Sequence, residues 1–142
     1  MADMFTVSAS GMEAQRLRMN IIAGNLANAD TTKTANGGPY RRKDIVFAAQ
    51  NEGGFGGFLK KSIDGYEATV KVAGIIEDKK PFKYAYEPNH PDADNKGFVA
   101  YPNVNVAEEM VNMISASRSY EANVNALKAT REMAVKALEI GE

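Results

Sequence analysis

Helix breakers are confined to the middle of this chain, and that confinement constrains the fold more than any other feature. All five prolines (Pro39, Pro81, Pro88, Pro91, Pro102) lie between residues 39 and 102. Nine of the twelve glycines fall between Gly37 and Gly97. Both ends lack proline, and the C-terminal stretch has no glycine before Gly141. The pattern predicts helix, irregular β, helix. The fold class expected is α+β: residues 1–32 an N-terminal helix, 33–102 a β-rich middle, and 103–142 a C-terminal helix paired with the first.

The N-terminal helix is predicted from about Asp3 or Thr6 to about Asn28. Phe5, Met12, Met19 and Leu26 recur every seven residues, a spacing that holds one face toward a partner, and Ile22 and Ala23 widen the stripe. Glu13, Arg16 and Asn20 occupy the other side. Gly11 and Gly24 each weaken the helix by about 1 kcal/mol. Asn28 is read as the stop, because Asn tolerates the left-handed conformation. Asp30, Thr31 and Thr32 then offer side-chain turns.

Asn105 is a good N-cap, and Glu108 stands where a capping box wants an acid. From there a 4-3 spacing runs through Val106, Met110, Met113, Ser117, Tyr120, Val124, Leu127, Arg131, Ala134 and Leu138. A helix of about 35 residues would span roughly 50 Å. Two such helices make one seam and no closed core. Apolar stripes left wet usually mark an interface. The assembly surface is therefore assigned to Phe5, Met12, Met19, Ile22, Leu26, Val106, Met110, Met113, Tyr120, Val124, Leu127 and Leu138. A plain helical hairpin covered by the middle segment is the competing structure.

In the middle, Tyr66, Ala68, Val70 and Val72 alternate with Glu67, Thr69 and Lys71, and Phe82, Tyr84 and Tyr86 alternate with Lys83 and Ala85; Glu77–Lys80 between them reads as a hairpin loop. Ile45–Ala48 and Phe98–Tyr101 are weaker strands. Gly53–Phe58 is a glycine-rich loop.

Little here supports catalysis. The sole histidine, His90, sits in a turn-rich stretch, Pro88–Pro91. Asp92–Gly97 resembles a calcium loop but has Lys96 where an oxygen ligand is needed and Asn103 where a carboxylate is needed, so a polar turn is expected. Gly56–Ser62 lacks the glycine spacing of a phosphate loop. No cofactor or metal is expected. The net charge of -1 gives no basic field for nucleic acid. Arg41-Arg42-Lys43 reads as a solvated strand edge or a contact for an acidic partner. The chain has no cysteine, hence no disulfide or thiolate chemistry. No membrane-spanning run is present, and the first residues do not read as a cleavable signal.

Ser8–Met12 followed by Asn20–Thr31 resembles the N-terminal signature of flagellar rod and hook proteins, with Asn25, Leu26, Ala27, Asn28, Asp30 and Thr31 at its centre. Tyr101–Ile114, then Arg118–Asn123, is similar to the matching C-terminal end. His90–Asp94 leading to Gly97–Pro102 is similar to the proximal-rod branch. The resemblance implies a hollow rod lined by the terminal helices as a coiled coil, with the β-rich insert outside. It also implies a place in the basal body across the periplasm, torque transmission for motility, and type III export without signal cleavage. The implied partners are further copies of the chain, proximal and distal rod subunits, the MS-ring/export-gate adaptor and the export apparatus. A monomeric module with a ligand on the middle sheet, and an enzyme centred on His90, are the rival classes.

Overall fold

The structure, a computed structural model, describes residues 2–50 and 69–139. The order is α1 (Ala2–Ala27), β1 (Lys43–Gln50), β2 (Thr69–Glu77), β3 (Lys83–Tyr86), β4 (Phe98–Tyr101) and α2 (Val106–Glu139). The protein is α+β, with a long helix at each end and two small sheets between. The glycine-rich loop at Gly53–Phe58, the rejected phosphate loop at Gly56–Ser62, and Tyr66–Ala68 lie outside the described residues.

α1 stops at Ala27 for a reason other than a left-handed asparagine. No non-glycine residue among those described has positive φ. Instead Asn28 uses its side chain: Nδ2 donates to the Gly24 carbonyl at 2.9 Å, and Oδ1 accepts from the Thr31 hydroxyl at 3.2 Å. The C-terminal helix starts on Asn105, whose Oδ1 accepts from the Ala107 N–H at 3.2 Å. Glu108 is exposed and forms no return bond among the described residues, so the cap is a single bond and not a box.

Sheet pairing differs from the expected hairpin. β1 pairs with β2, and β3 with β4, so Glu77–Lys80 connects two sheets and does not turn one strand back on another. The connection is held by side chains. Arg41 Nη1 donates to the Asp78 carbonyl at 2.9 Å, and Asn103 Nδ2 donates to the carbonyls of Asp78 and Lys80. These bonds occupy carbonyls that a tight hairpin would have paired within itself. In the antiparallel β3–β4 pair, Tyr86 faces Phe98 and Ala85 faces the buried Val99. Gly97 closes the return with φ +82°, and a Cβ there would stand 2.9 Å from the Tyr86 ring.

The chain divides into two compact units, each taking a piece of both helices. One comprises Arg18–Ile45 and Ile75–Ile114. Its interior holds Ile22, Ile45, Val99, Pro102 and Val104, with Asn25, Asn103 and Glu109 buried among them. The other comprises Met1–Leu17, Val46–Gly74 and Ser115–Glu142. Its buried residues, among those described, are small: Ala14, Ala116 and Thr130.

Gly11 and Gly24 therefore have opposite consequences. A Cβ at Gly11 would meet the Asn123 side chain at 3.1 Å, whereas nothing lies within 4 Å of one at Gly24. Gly24→Ala should stabilise by about 1 kcal/mol through helix propensity. Gly11→Val should destabilise by about 1–3 kcal/mol through overpacking. Thermal unfolding of the two variants beside the parent checks the pair.

Candidate assembly site

Among the described residues, Glu109 is the largest side chain with no exposure to water. A carboxylate without water must find its partners in the protein. α2 delivers it one turn past its cap, where it meets α1 and the entrance to β1. Arg42 Nε donates to its Oε1 at 2.8 Å, and Asn25 Nδ2 donates to its Oε2 at 2.9 Å. Arg42 Nη1 also donates to Asp44 at 3.0 Å, with Asp78 at 3.7 Å. The charge of Glu109 is thus neutralised by a guanidinium that two further carboxylates hold in place.

Asn25, also fully buried, is the second centre. Its amide donates to the Lys43 carbonyl at 2.8 Å as well as to Glu109. Its oxygen accepts from the Tyr40 hydroxyl and the Lys43 N–H, both at 3.0 Å. Two donors and two lone pairs are all the group possesses, and all are used. Asn103 completes the cluster by accepting from the Arg42 N–H at 2.8 Å.

Burial raises the Tyr40 hydroxyl above its ordinary value, and the charges of Glu109 and Glu77 add to this. Burial alone would raise Asp44, but the Arg42 and Ile45 hydrogen bonds and the charges of Arg42 and Arg18 outweigh it and hold the carboxyl low.

The basic run at residues 41–43 is thus not a solvated edge. Arg42 is the internal counter-ion, and Arg41 stacks on Phe82 at 4.3 Å from the ring centre. His90 is spent on its turn: Nδ1 accepts from the Asp92 N–H at 3.1 Å. Asp94 Oδ1 likewise accepts from the Lys96 and Phe98 N–H groups, the polar-turn geometry expected of this loop.

The assembly positions fall into three groups. Ile22 is buried. Phe5, Met12, Met19, Leu26, Met113, Tyr120, Val124 and Leu127 are half-buried. Val106, Met110 and Leu138 are exposed. The deepest positions of α2 are Glu109, Ala116 and Thr130, with Asn123 at the same seven-residue spacing. That seam is small and polar, and the apolar stripe runs beside it. Of the signature residues, Asn25 builds the polar cluster, Asn28 and Thr31 close the helix, Leu26 is half-buried, and Ala27 and Asp30 are exposed.

Glu109→Ala leaves Arg42 paired with Asp44 but removes the acceptor of Arg42 Nε and of one Asn25 N–H, and should cost about 1–3 kcal/mol. Replacing Glu109, Arg42 and Asn25 together by Leu, Met and Leu should cost more than that single change, because the Lys43 N–H and carbonyl and the Tyr40 hydroxyl also lose their partners. Urea unfolding of the two variants checks the order. For Asp44 the depressed folded value means stability present above the unfolded carboxyl's value and lost as pH falls through the folded one. Asp44→Asn should therefore be destabilised at pH 7, with the gap to the parent closing below about pH 4; urea midpoints across acid pH check this.

Comparison with known proteins places these features in a family. The family model described as flagella basal body rod protein matches residues 5–33. The model described as flagellar basal body rod FlgEFG protein C-terminal matches residues 95–140. The flagellar basal-body rod protein FlgC of Borreliella burgdorferi is 46% identical, over 94% of this chain and 93% of that protein. The protein of the same name from Bacillus subtilis is 46% identical over 96% of this chain and 95% of its own length. That of Escherichia coli is 43% identical over 99% and 97%. The family is structural, which sets aside the readings as an enzyme and as a monomeric binding module. With matches to both helical ends and near-complete coverage by relatives, the chain belongs to the FlgC family of flagellar basal-body rod proteins.

Proposed function

We propose that this rod subunit assembles through the apolar stripes of α1 and α2 into a hollow shaft, while the β-rich middle segment decorates it. The observation that carries the reading is the separation of seam from stripe. Among the described residues of the unit built from Met1–Leu17, Val46–Gly74 and Ser115–Glu142, the buried positions are the small residues Ala14, Ala116 and Thr130. Met133, Val135 and Leu138 stay exposed. The described parts of the two helices in that unit bury no large apolar side chain completely, and long helices with little burial are marginal. Assembly would supply the missing surface and order them by mass action.

The functional division of the chain is 1–32 and 103–142 for assembly and 33–102 for decoration. The rod crosses the periplasm, carries torque to the hook and passes exported subunits through its centre. The chain itself leaves the cytoplasm through the type III apparatus without signal cleavage, and helices that order late suit that passage. Its neighbours are other copies, proximal and distal rod proteins, and the adaptor at the MS ring and export gate.

Hydrogen exchange on the dilute monomer tests the energetic basis. Residues 2–17 and 115–139 should exchange quickly, while amides around Asn25, Lys43 and Glu109 are protected. Strong protection along the whole of both helices would refute the reading. Leu26→Asp and Val124→Asp should each permit synthesis and prevent incorporation into basal bodies; normal motility in both strains would count decisively against it.

A further inference from the structure

An asparagine side chain loses its amide without any enzyme when the next backbone nitrogen reaches its Cγ. A Cβ on that next residue crowds the approach, and glycine removes the obstacle. The chain has one Asn-Gly pair, Asn36-Gly37. Both residues are exposed, and the Asn36 amide holds no hydrogen bond among the described residues. Nothing lies within 4 Å of where a Gly37 Cβ would stand, so the attacking nitrogen meets open space.

The fold restrains that nitrogen. The Gly37 N–H donates to the Thr34 carbonyl at 2.9 Å. The Gly38 carbonyl accepts from the Thr34 N–H at 2.9 Å and from the Thr34 hydroxyl at 3.2 Å. The Tyr40 N–H donates to the Thr31 carbonyl at 2.9 Å and closes the loop behind them. Gly37 and Gly38 hold φ of +80° and +77°, which the turn requires. A nitrogen bonded in this way is free neither to give up its proton nor to swing onto the neighbouring Cγ.

We propose that Asn36 is a site of spontaneous deamidation, gated by closure of the loop between Thr31 and Tyr40. In the open loop the Gly37 nitrogen gives its proton to solvent base and attacks Asn36 Cγ. The new C–N bond closes a five-membered imide, and the side-chain nitrogen leaves as ammonia. Water then opens the ring at either carbonyl and leaves aspartate or isoaspartate. One water is consumed and one ammonia released, with no oxidation or reduction. Isoaspartate carries the main chain through the side-chain carbon, so the Thr34–Gly37 turn does not re-form on it unaltered. The reaction therefore marks chains whose loop has stood open, whatever their state of assembly.

Peptide mapping by mass spectrometry on the purified full-length chain tests this. The probe is water at mildly alkaline pH, with the chain folded or held in urea, and the readout is replacement of NH₂ by OH in the peptide 34–41, whose one asparagine is Asn36. Conversion should be about tenfold slower in the folded chain, the factor that one neutral hydrogen bond contributes to a local opening equilibrium. Gly38→Ala strains the left-handed position, leaves the Asn-Gly pair intact and should raise the folded rate toward the urea rate. Thr34→Val removes only the hydroxyl bond and should raise it less. Circular dichroism matching the parent separates loop opening from global unfolding in either variant. Asn36→Gln, which needs a larger ring, should abolish the conversion. Equal rates in folded and unfolded chain overturn the gate, as does a folded variant pair with the parent's rate. No conversion of Asn36 in urea, or faster conversion at another asparagine there, overturns the site.

Discussion

The fold turns on one carboxylate that cannot reach water. Glu109 is committed by helix α2 to the interior, and a bare buried charge there would cost several kcal/mol. The rest of its unit is arranged to prevent that. α1 ends at a place that puts Asn25 against one oxygen, and the chain enters β1 so that Arg42 meets the other. Asn103, just before α2, grips the Arg42 backbone. Three segments distant in sequence are therefore located by one group. Ion pairs of this kind add little net stability over an apolar core. What this one contributes is a geometry in which every participant has a single place.

The helices follow a different rule. Ordinary amphipathic helices turn their largest apolar residues to the core. Here the innermost positions of α2 are Glu109, Ala116 and Thr130, and Asn123 closely approaches Gly11. Small and polar residues let backbones come together, but they remove little apolar surface from water. The residues that could remove more stand at the flank or outside. The chain thus keeps its internal contacts specific and leaves its large hydrophobic residues uncommitted.

Much of the architecture was legible in residue order. The absence of proline located both helices, the absence of glycine α2 in particular, and Asn105 marked the start of α2. The stop near Asn28 was also readable, although its mechanism is a set of side-chain bonds and not a left-handed backbone. Strand pairing was not readable. β2 and β3 are close in sequence and alternate well, yet the carbonyls between them are claimed by Arg41 and Asn103, which approach from elsewhere. Arg42 was missed for the same reason: its role depends on Glu109, 67 positions away. Periodicity reports which residues share a face, but not which face turns inward when small residues line the seam.

The saturation of Asn25 has a consequence for quality control. A subunit whose α1 ends out of place would leave two N–H groups and two lone pairs of Asn25, and one oxygen of Glu109, without partners. Each orphaned group costs about 1–3 kcal/mol, so a near-miss conformation is penalised severalfold over and cannot persist as a populated alternative. The cluster thereby acts as a proofreading step written into the monomer: the chain either closes correctly at this point or stays open, and no half-formed shape competes with the correct one for a place in the structure being built.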